Sequence, residues 1–303
     1  MNHIARDLRE AAGAKRRSFL ADFFIRLVRE KPLGTVGGII VLLLLVTGIF
    51  ADLLAPYHYN KTNLRHRLDP SSADHILGTD NLGRDLLSRI IYGARITMIV
   101  GVVGAAVASL VATAIGIISG FLGGKFDTVI QRFVDAWMCF PGLVIILTVM
   151  SLIGPGLVQV VMVLGLLYGV TMSRVIRGTV LAIRENLYVA SAVVTGCSTW
   201  RILIKHILPN VMAVIIIVFT TRMSMLILVE ASLSFLGFGV PPPMPSWGGM
   251  LSGSGVQYML AAPWMAIWPG VALSIVVYGV NMFGDALRDL LDPRLRGGLG
   301  RYG

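Results

Sequence analysis

Long apolar runs alternate with short polar stretches along this 303-residue chain. Six runs, at residues 34–54, 97–122, 134–153, 157–176, 211–236 and 264–284, are near the about 20 residues that a helix needs to cross the hydrocarbon core of a bilayer. The pattern predicts an all-α membrane protein with six transmembrane helices. An even number of crossings puts both chain ends on one side. Ahead of the first run, Phe19, Leu20, Phe23, Phe24, Leu27 and Val28 recur at helical spacing, and Arg26 and Arg29 are placed to meet lipid phosphates. That predicts an N-terminal amphipathic helix on the membrane surface, within a cytoplasmic segment 1–33.

The apolar runs carry features of their own. In the second, Gly104, Ala108, Ala112, Gly116, Gly120 and Gly124 recur every four residues. In lipid such a stripe lets backbones approach and gain van der Waals contact, either within one chain or against a partner subunit. In the third, Pro141 removes a backbone donor and predicts a kink, and Asp135 is placed to cap or ion-pair near one end. The fifth holds Arg222, about 17 Å along the helix at 1.5 Å per residue, and Glu230 beyond it. An arginine at mid-bilayer costs about 2.5–3.5 kcal/mol on insertion, so it must face protein or a wet cavity. Arg222 and Glu230 are therefore candidates both for structural polar contacts and for lining a translocation path.

Composition narrows the class. The chain is 55% hydrophobic and 14% charged, with mean hydropathy +0.78, against about 25% charged residues in soluble domains. A net charge of +10 would suggest nucleic acid in a soluble protein, but the basic residues sort by segment. Eight lie before the first span, two between the second and third, five over 174–205 and four in the tail, against six in the 55–95 segment. This asymmetry reports topology, with both termini cytoplasmic, and no nucleic-acid partner is expected. The segment before the first run is too charged, and the run too long, for a cleaved leader, so that span reads as a permanent signal anchor. The two cysteines, Cys139 and Cys197, fall in an apolar run and a polar loop. They leave no disulfide or metal cluster to expect, and no catalytic site is proposed.

Three polar stretches break the apolar pattern. Residues 56–95 contain Gly78-Thr79-Asp80 and Gly83-Arg84-Asp85, where the glycines permit tight turns and Asp80, Arg84, Asp85 and Arg89 can pair into a cap. Pro241-Pro242-Pro243 cannot continue a helix, and Trp247 suits the headgroup belt, which predicts a stiff loop. In 184–209, Tyr188, Ala192 and the Ile202/Ile204 region can form the apolar sides of two short helices. Gly196 breaks between them and Pro209 ends the second.

Ala192, Gly196, Leu208 and Pro209 resemble the EAA loop of ABC-importer permeases, E-A-A, three residues, G, nine residues, I-x-L-P. Ala190 stands at the Glu, Ser191 at the first Ala and His206 at the Ile. The sequence Gly78-Thr79-Asp80, Gly83-Arg84-Asp85, Ser88-Arg89, Gly93-Ala94-Arg95 is similar to the signature of dipeptide, oligopeptide and nickel importer permeases of the DppC/OppC kind. The likeness continues through Ser232-Leu233-Ser234-Phe235-Leu236-Gly237, the Pro241–Leu251 element and Asn281 to Pro293. It runs from about residue 33 to 296.

The resemblance implies a MetI-like permease fold in the inner membrane. A first helix and extracytoplasmic loop would occupy 34–95, a core permease domain 96–296, and a cytoplasmic tail 297–303. Tyr188, Ala190, Ser191, Ala192, Gly196, His206, Leu208 and Pro209 would contact an ATPase. The implied partners are a second homologous permease (DppB/OppB-like), two ATP-binding subunits, an extracytoplasmic solute-binding protein and membrane lipid. The chain itself lacks a phosphate-cradling loop, since Gly124-Lys125 is followed by Phe126. No cofactor is expected in it, and ATP with Mg²⁺ would bind the partner subunits. Peptides are the expected solute, with nickel chelates or glutathione-like molecules as alternatives. A different class, an ion-coupled secondary transporter, would place ionisable groups or broken helices at the midplane, but no inverted repeat is visible.

Overall fold

The computed structural model describes residues 19–291. Among them, regular structure is helical apart from one isolated antiparallel bridge between Thr79 and Asp85. Helix α1 (Phe19–Glu30) leads to α2 (Pro32–Ile49) and the single turn α3 (Ala51–Leu54). Helix α4 (Leu86–Ile99) passes through a π-helical turn at Val100–Gly104 into α5 (Ala105–Leu122). Helices α6 (Gly124–Met138), α7 (Gly142–Ile153) and α8 (Leu157–Arg184) follow. The short α9 (Leu187–Val194) and α10 (Thr199–Ile202) lead through a second π turn, Leu203–Ile207, into α11 (Leu208–Phe235). Short helices α12 (Trp247–Leu251) and α13 (Ser254–Gln257) precede α14 (Trp264–Leu291).

Among the described residues, five rods are long and apolar enough to cross a membrane: Pro32–Ile49, Leu86–Leu122, Leu157–Arg184, Thr199–Phe235 and Trp264–Leu291. The sixth expected span, 134–153, is not a kinked rod, because α6 and α7 meet at 86°. Helix α6 closes where the Cys139 amide bonds the Asp135 carbonyl at 3.2 Å. Pro141, extended at ψ 122°, then starts α7 by accepting from the Val144 and Ile145 amides. A proline at the helix start loses no bond, whereas inside a helix it would, so the chain breaks instead of bending. Several rods also outrun the apolar runs. Helix α4 begins at Leu86, inside the stretch expected to be loop, and α8 continues to Arg184.

The small-residue stripe packs within the chain. A Cβ on Gly116 would lie 2.6 Å from the Ile176 Cβ and 2.7 Å from the Ser173 carbonyl of α8. The fit is reciprocal, since a Cβ on Gly165 or Gly169 of α8 would meet Val107 or Val111 of α5 at 2.6 Å. Gly124 leaves the stripe, at φ +57° as the first residue of α6. A second close crossing, α2 on α14, joins Gly37 to the Phe283 backbone and Gly279 to Ile40. The sequence pattern hides it, because α2 is apolar all round.

Bonds between segments distant in the chain define two ends. At one, Lys31 Nζ donates to Asp289 at 2.5 Å, and Arg184 Nη1 donates to the Phe121 carbonyl at 3.1 Å. At the other, Arg95 Nη2 and the Tyr92 hydroxyl each donate to Asp52 at 2.8 Å. The Arg95 guanidinium, followed by the Tyr92 hydroxyl, holds the Asp52 carboxyl below the usual carboxylate range. In α1, Leu27 is buried against Ala286 and Leu290 of α14 while Val28 is exposed. The side chains of Phe19, Leu20, Phe23 and Phe24, and residues 1–18, Asp292 and 297–303, lie outside the described part.

Candidate functional site

At the Lys31 end the chain leaves α8 through Asn186, whose Nδ2 donates to the Ala182 and Ile183 carbonyls at 3.3 and 3.0 Å. These bonds satisfy acceptors that a helix C-terminus leaves open. Helix α9 follows at once. It ends where the Gly196 amide bonds the Val193 carbonyl and the Cys197 amide bonds the Ala192 carbonyl, both at 3.0 Å. This pair of bonds is a Schellman closure, which needs a left-handed residue, and Gly196 supplies φ +78°. A Cβ there would meet nothing within 4 Å, so the glycine answers to backbone conformation alone.

Two faces of this knob differ sharply. Val189 (1% exposed), Ala192, Ile202 and Ile207 turn inward and join Ile176 and Val180 of α8 and Val211 and Val218 of α11 in a hydrophobic cluster separate from the main core. Leu187 (86%), Val194 (87%) and Trp200 (71%) turn outward, beside exposed Arg201 and Lys205. Large apolar side chains gathered on an exposed surface mark an interaction site. Tyr188 is on the outer side, its ring centroid 6.3 Å from that of His206, and not on the inner face expected for it. Ala190 and Ser191 are exposed, with Ser191 Oγ donating to the Leu187 carbonyl at 2.8 Å. Val189 was not singled out from sequence, because an eight-residue helix this apolar gives no contrast between faces.

Pro209 also differs from expectation. Pro209 does not end a helix but sits in the first turn of α11, after the π turn in which the Leu208 amide reaches back to the Leu203 carbonyl. The widened turn delivers proline to a position where its missing N–H costs nothing.

Next to the knob, ion pairs fasten the broken segment to α8. Asp127 of α6 accepts from Arg177 Nε at 2.6 Å, from Arg177 Nη2 and from Ser119 Oγ of α5. Asp135 pairs with Arg174, and with Arg132 at 3.6 Å. A cleft of about 390 Å³ lies among these groups. Sequence reasoning noted Asp135 but not Asp127, which belongs to a polar turn outside any motif.

Between the ends lie the two candidate path residues. Arg222 is half-buried; its Nη1 approaches Met225 Sδ at 3.0 Å, and its Nε is buried without a hydrogen-bond partner among the described residues. Glu230 is 1% exposed and accepts from Ser234 Oγ at 2.6 Å, while Ser234 Oγ in turn accepts from the Val240 amide. That chain of bonds fastens the Pro-rich loop to the end of α11.

At the opposite end from the knob, Asp80 Oδ1 accepts from the Leu82 and Arg84 amides at 2.8 and 3.0 Å, and Oδ2 from Arg84 Nε at 2.7 Å. Asp85 caps α4 through Ser88 and pairs with His75 at 2.9 Å, not with an arginine. Trp264 Nε1 donates to the Thr79 carbonyl at 3.1 Å, and Trp247 Nε1 to the Ile90 carbonyl at 3.0 Å. Trp247 is therefore buried, against Gly93, and not in a headgroup belt. A cavity of about 430 Å³ opens here, lined by Asp80, Arg84 and Arg89, by Pro155 ahead of α8, and by Ser234 at the end of α11. Helices α8 and α11, each of 28 residues, thus run from knob to cavity, about 42 Å at 1.5 Å per residue.

Residues 112–297 match the family described as binding-protein-dependent transport system inner membrane component, and residues 18–70 match the N-terminal TM domain of oligopeptide transport permease C. The chain is 38% identical over 269 residues to the dipeptide transport system permease protein DppC of Alkalihalophilus pseudofirmus, covering 89% of this chain and 88% of that protein. It is 38% identical over 287 residues to the oligopeptide transport system permease protein OppC of Bacillus subtilis, covering 95% and 93%. It is also 38% identical over 277 residues to the glutathione transport system permease protein GsiD of Pectobacterium atrosepticum, covering 91% of each.

Proposed function

The chain belongs to the binding-protein-dependent inner membrane components, the permeases of ABC importers, and from that premise we propose that it forms one half of a peptide-translocating path driven by a partner's ATP cycle. The observation that carries this reading is the knob at 187–207, fixed on its inner side and apolar on its outer side. Leu187, Val194 and Trp200 dock into an ATP-binding subunit, with Tyr188, Ala190, Ser191 and His206 at the same surface. Ala192 and Gly196 hold the knob's shape, and Leu208-Pro209 joins it to α11. Because α8 and α11 both start or end at the knob and reach the cavity, displacement of the knob tilts two rods together. Differential affinity of the ATPase for the two tilts performs the work.

The knob faces the cytoplasm with both termini, in accord with the excess of Lys and Arg in those segments. The cavity end faces outward, toward a solute-binding protein. The remaining partners are a second, homologous permease and two ATPases that hold ATP and Mg²⁺; Arg222 and Glu230 belong to the path or its wall. Peptides are the solute, by the likeness to dipeptide and oligopeptide permeases, and a tripeptide-like solute such as glutathione is the second reading, by the likeness to a glutathione permease. Identifying the solute held by the cognate binding protein separates them.

The coupling claim is tested in the assembled importer in proteoliposomes. Gly196→Pro cannot adopt φ +78°, and Ala192→Trp cannot fit the inner face. Both variants should insert normally yet lose solute-stimulated ATP hydrolysis, and normal stimulation would refute the assignment. Uptake that survives ATP depletion but collapses with a protonophore would point instead to an ion-coupled transporter.

A further inference from the structure

The cavity at the end opposite the knob holds two guanidinium groups and one carboxylate. Arg84 and Arg89 are both largely buried, and Asp80 is the one acid among the described residues that line it. That acid is already committed: Oδ1 accepts two backbone amides, and Oδ2 is shared between Arg84 Nε at 2.7 Å and Arg89 Nε at 3.6 Å. Arg89 also donates to the Tyr59 carbonyl, a neutral acceptor. Asp85 is turned to His75 and Ser88, and Glu230 to Ser234, and neither lines the cavity. One cationic charge is thus left uncompensated in a sheltered space, and an unpaired buried charge is costly until an anion meets it.

The rest of the lining has a different chemistry. Met244, Met250 and Met265 are part of it, and methionine side chains adapt to irregular apolar shapes. At about 430 Å³ the cavity is in the range of small-molecule sites, about 300–1,000 Å³. A charged point in a cavity with a yielding apolar lining suits a class of solute whose carboxylate is constant and whose side chains vary.

We propose that this cavity receives the C-terminal carboxylate of the peptide in transit, on the Arg84 and Arg89 guanidiniums, with the methionines of the lining accepting its side chains. The proposal rests on the peptide-import reading and adds to it a chemical requirement inside the permease, separate from any selection by the binding protein. Arg84 is the group to vary, since Arg89 also ties the cap to the Tyr59 carbonyl.

The experiment uses the assembled importer in proteoliposomes, with the dipeptide Ala-Phe and its C-terminal amide as probes at saturating binding protein. The wild type should import the free acid faster than the amide. Arg84→Gln should reduce the acid-over-amide rate ratio by about tenfold, the scale of one charge-assisted hydrogen bond, and Arg84→Lys should restore part of it. An unchanged ratio in Arg84→Gln overturns the proposal even if total transport falls, as does an equal loss for both probes with weaker capture of the binding protein, which would place the carboxylate on a partner subunit. Should Arg84→Gln fail to assemble, Arg84→Lys alone must still shift the ratio, and no shift overturns the proposal. A wild type that imports neither probe overturns the peptide reading and this one with it, whereas a wild type that imports both at equal rates overturns only the cavity assignment.

Discussion

At the cavity end, Thr79, Asp80, Asp85 and Ser88 are buried polar residues, each hydrogen-bonded to neighbours in its own loop or helix start. At the knob end, Leu187, Val194 and Trp200 are apolar and exposed, and the bonds that shape α9 are almost all backbone. Buried polar groups must be paired within the fold, so the turn that these four residues build is formed by the isolated chain, whatever later meets the Arg84 and Arg89 guanidiniums. Exposed apolar groups gain only when something covers them, so the second is open on its outer side, as the proposed docking of an ATPase subunit requires. The inner face of the knob is as well packed as the cap, and only its outer face is left open.

Substitutions separate the two behaviours. The largest effect on the fold is expected from Asp80→Ala, which leaves two guanidiniums without their carboxylate and should cost about 3–5 kcal/mol; thermal unfolding of the purified chain in detergent reads it, and an unchanged midpoint would show that the cap is not self-sufficient. Gly196→Ala should cost about 1–2 kcal/mol, through φ +78° alone, because nothing lies near a Cβ there; a larger loss would mean that the knob supports the bundle and not the reverse. The smallest effect on the fold is expected from Leu187→Ser with Val194→Ser, under about 0.5 kcal/mol, although binding of the ATPase subunit should weaken markedly. Retained binding in that double variant, measured by co-purification at graded concentration, would remove the reason for calling the knob a docking surface.

Much of this arrangement was legible along the chain. Apolar runs of bilayer length located five rods, the four-residue stripe located the surface by which α5 meets α8, and Ala192-Gly196-Leu208-Pro209 located the knob. Less legible was anything that depends on which way a side chain turns. Val189 and Tyr188 are neighbours in an apolar octet, and only the cluster beneath them decides that Val189 is covered and Tyr188 is not. The glycines at 165 and 169 were not singled out, although with Ser173 they recur every four residues and complete the same crossing.

The sequence by itself marked the membrane-spanning runs and the Gly196 break in the knob, because chain-local quantities decide these: run length and glycine's freedom at positive φ; the likeness to binding-protein-dependent importer permeases came from its motifs and not from those quantities. Only the tertiary structure decided that Pro141 separates two helices at 86°, that Trp247 is buried against Gly93, and that Arg84, Arg89 and three distant methionines share one cavity. In a chain this apolar, the polar contrast that normally reveals an inward face is absent. Partners in space are then chosen by shape and by the few charges that must find one another.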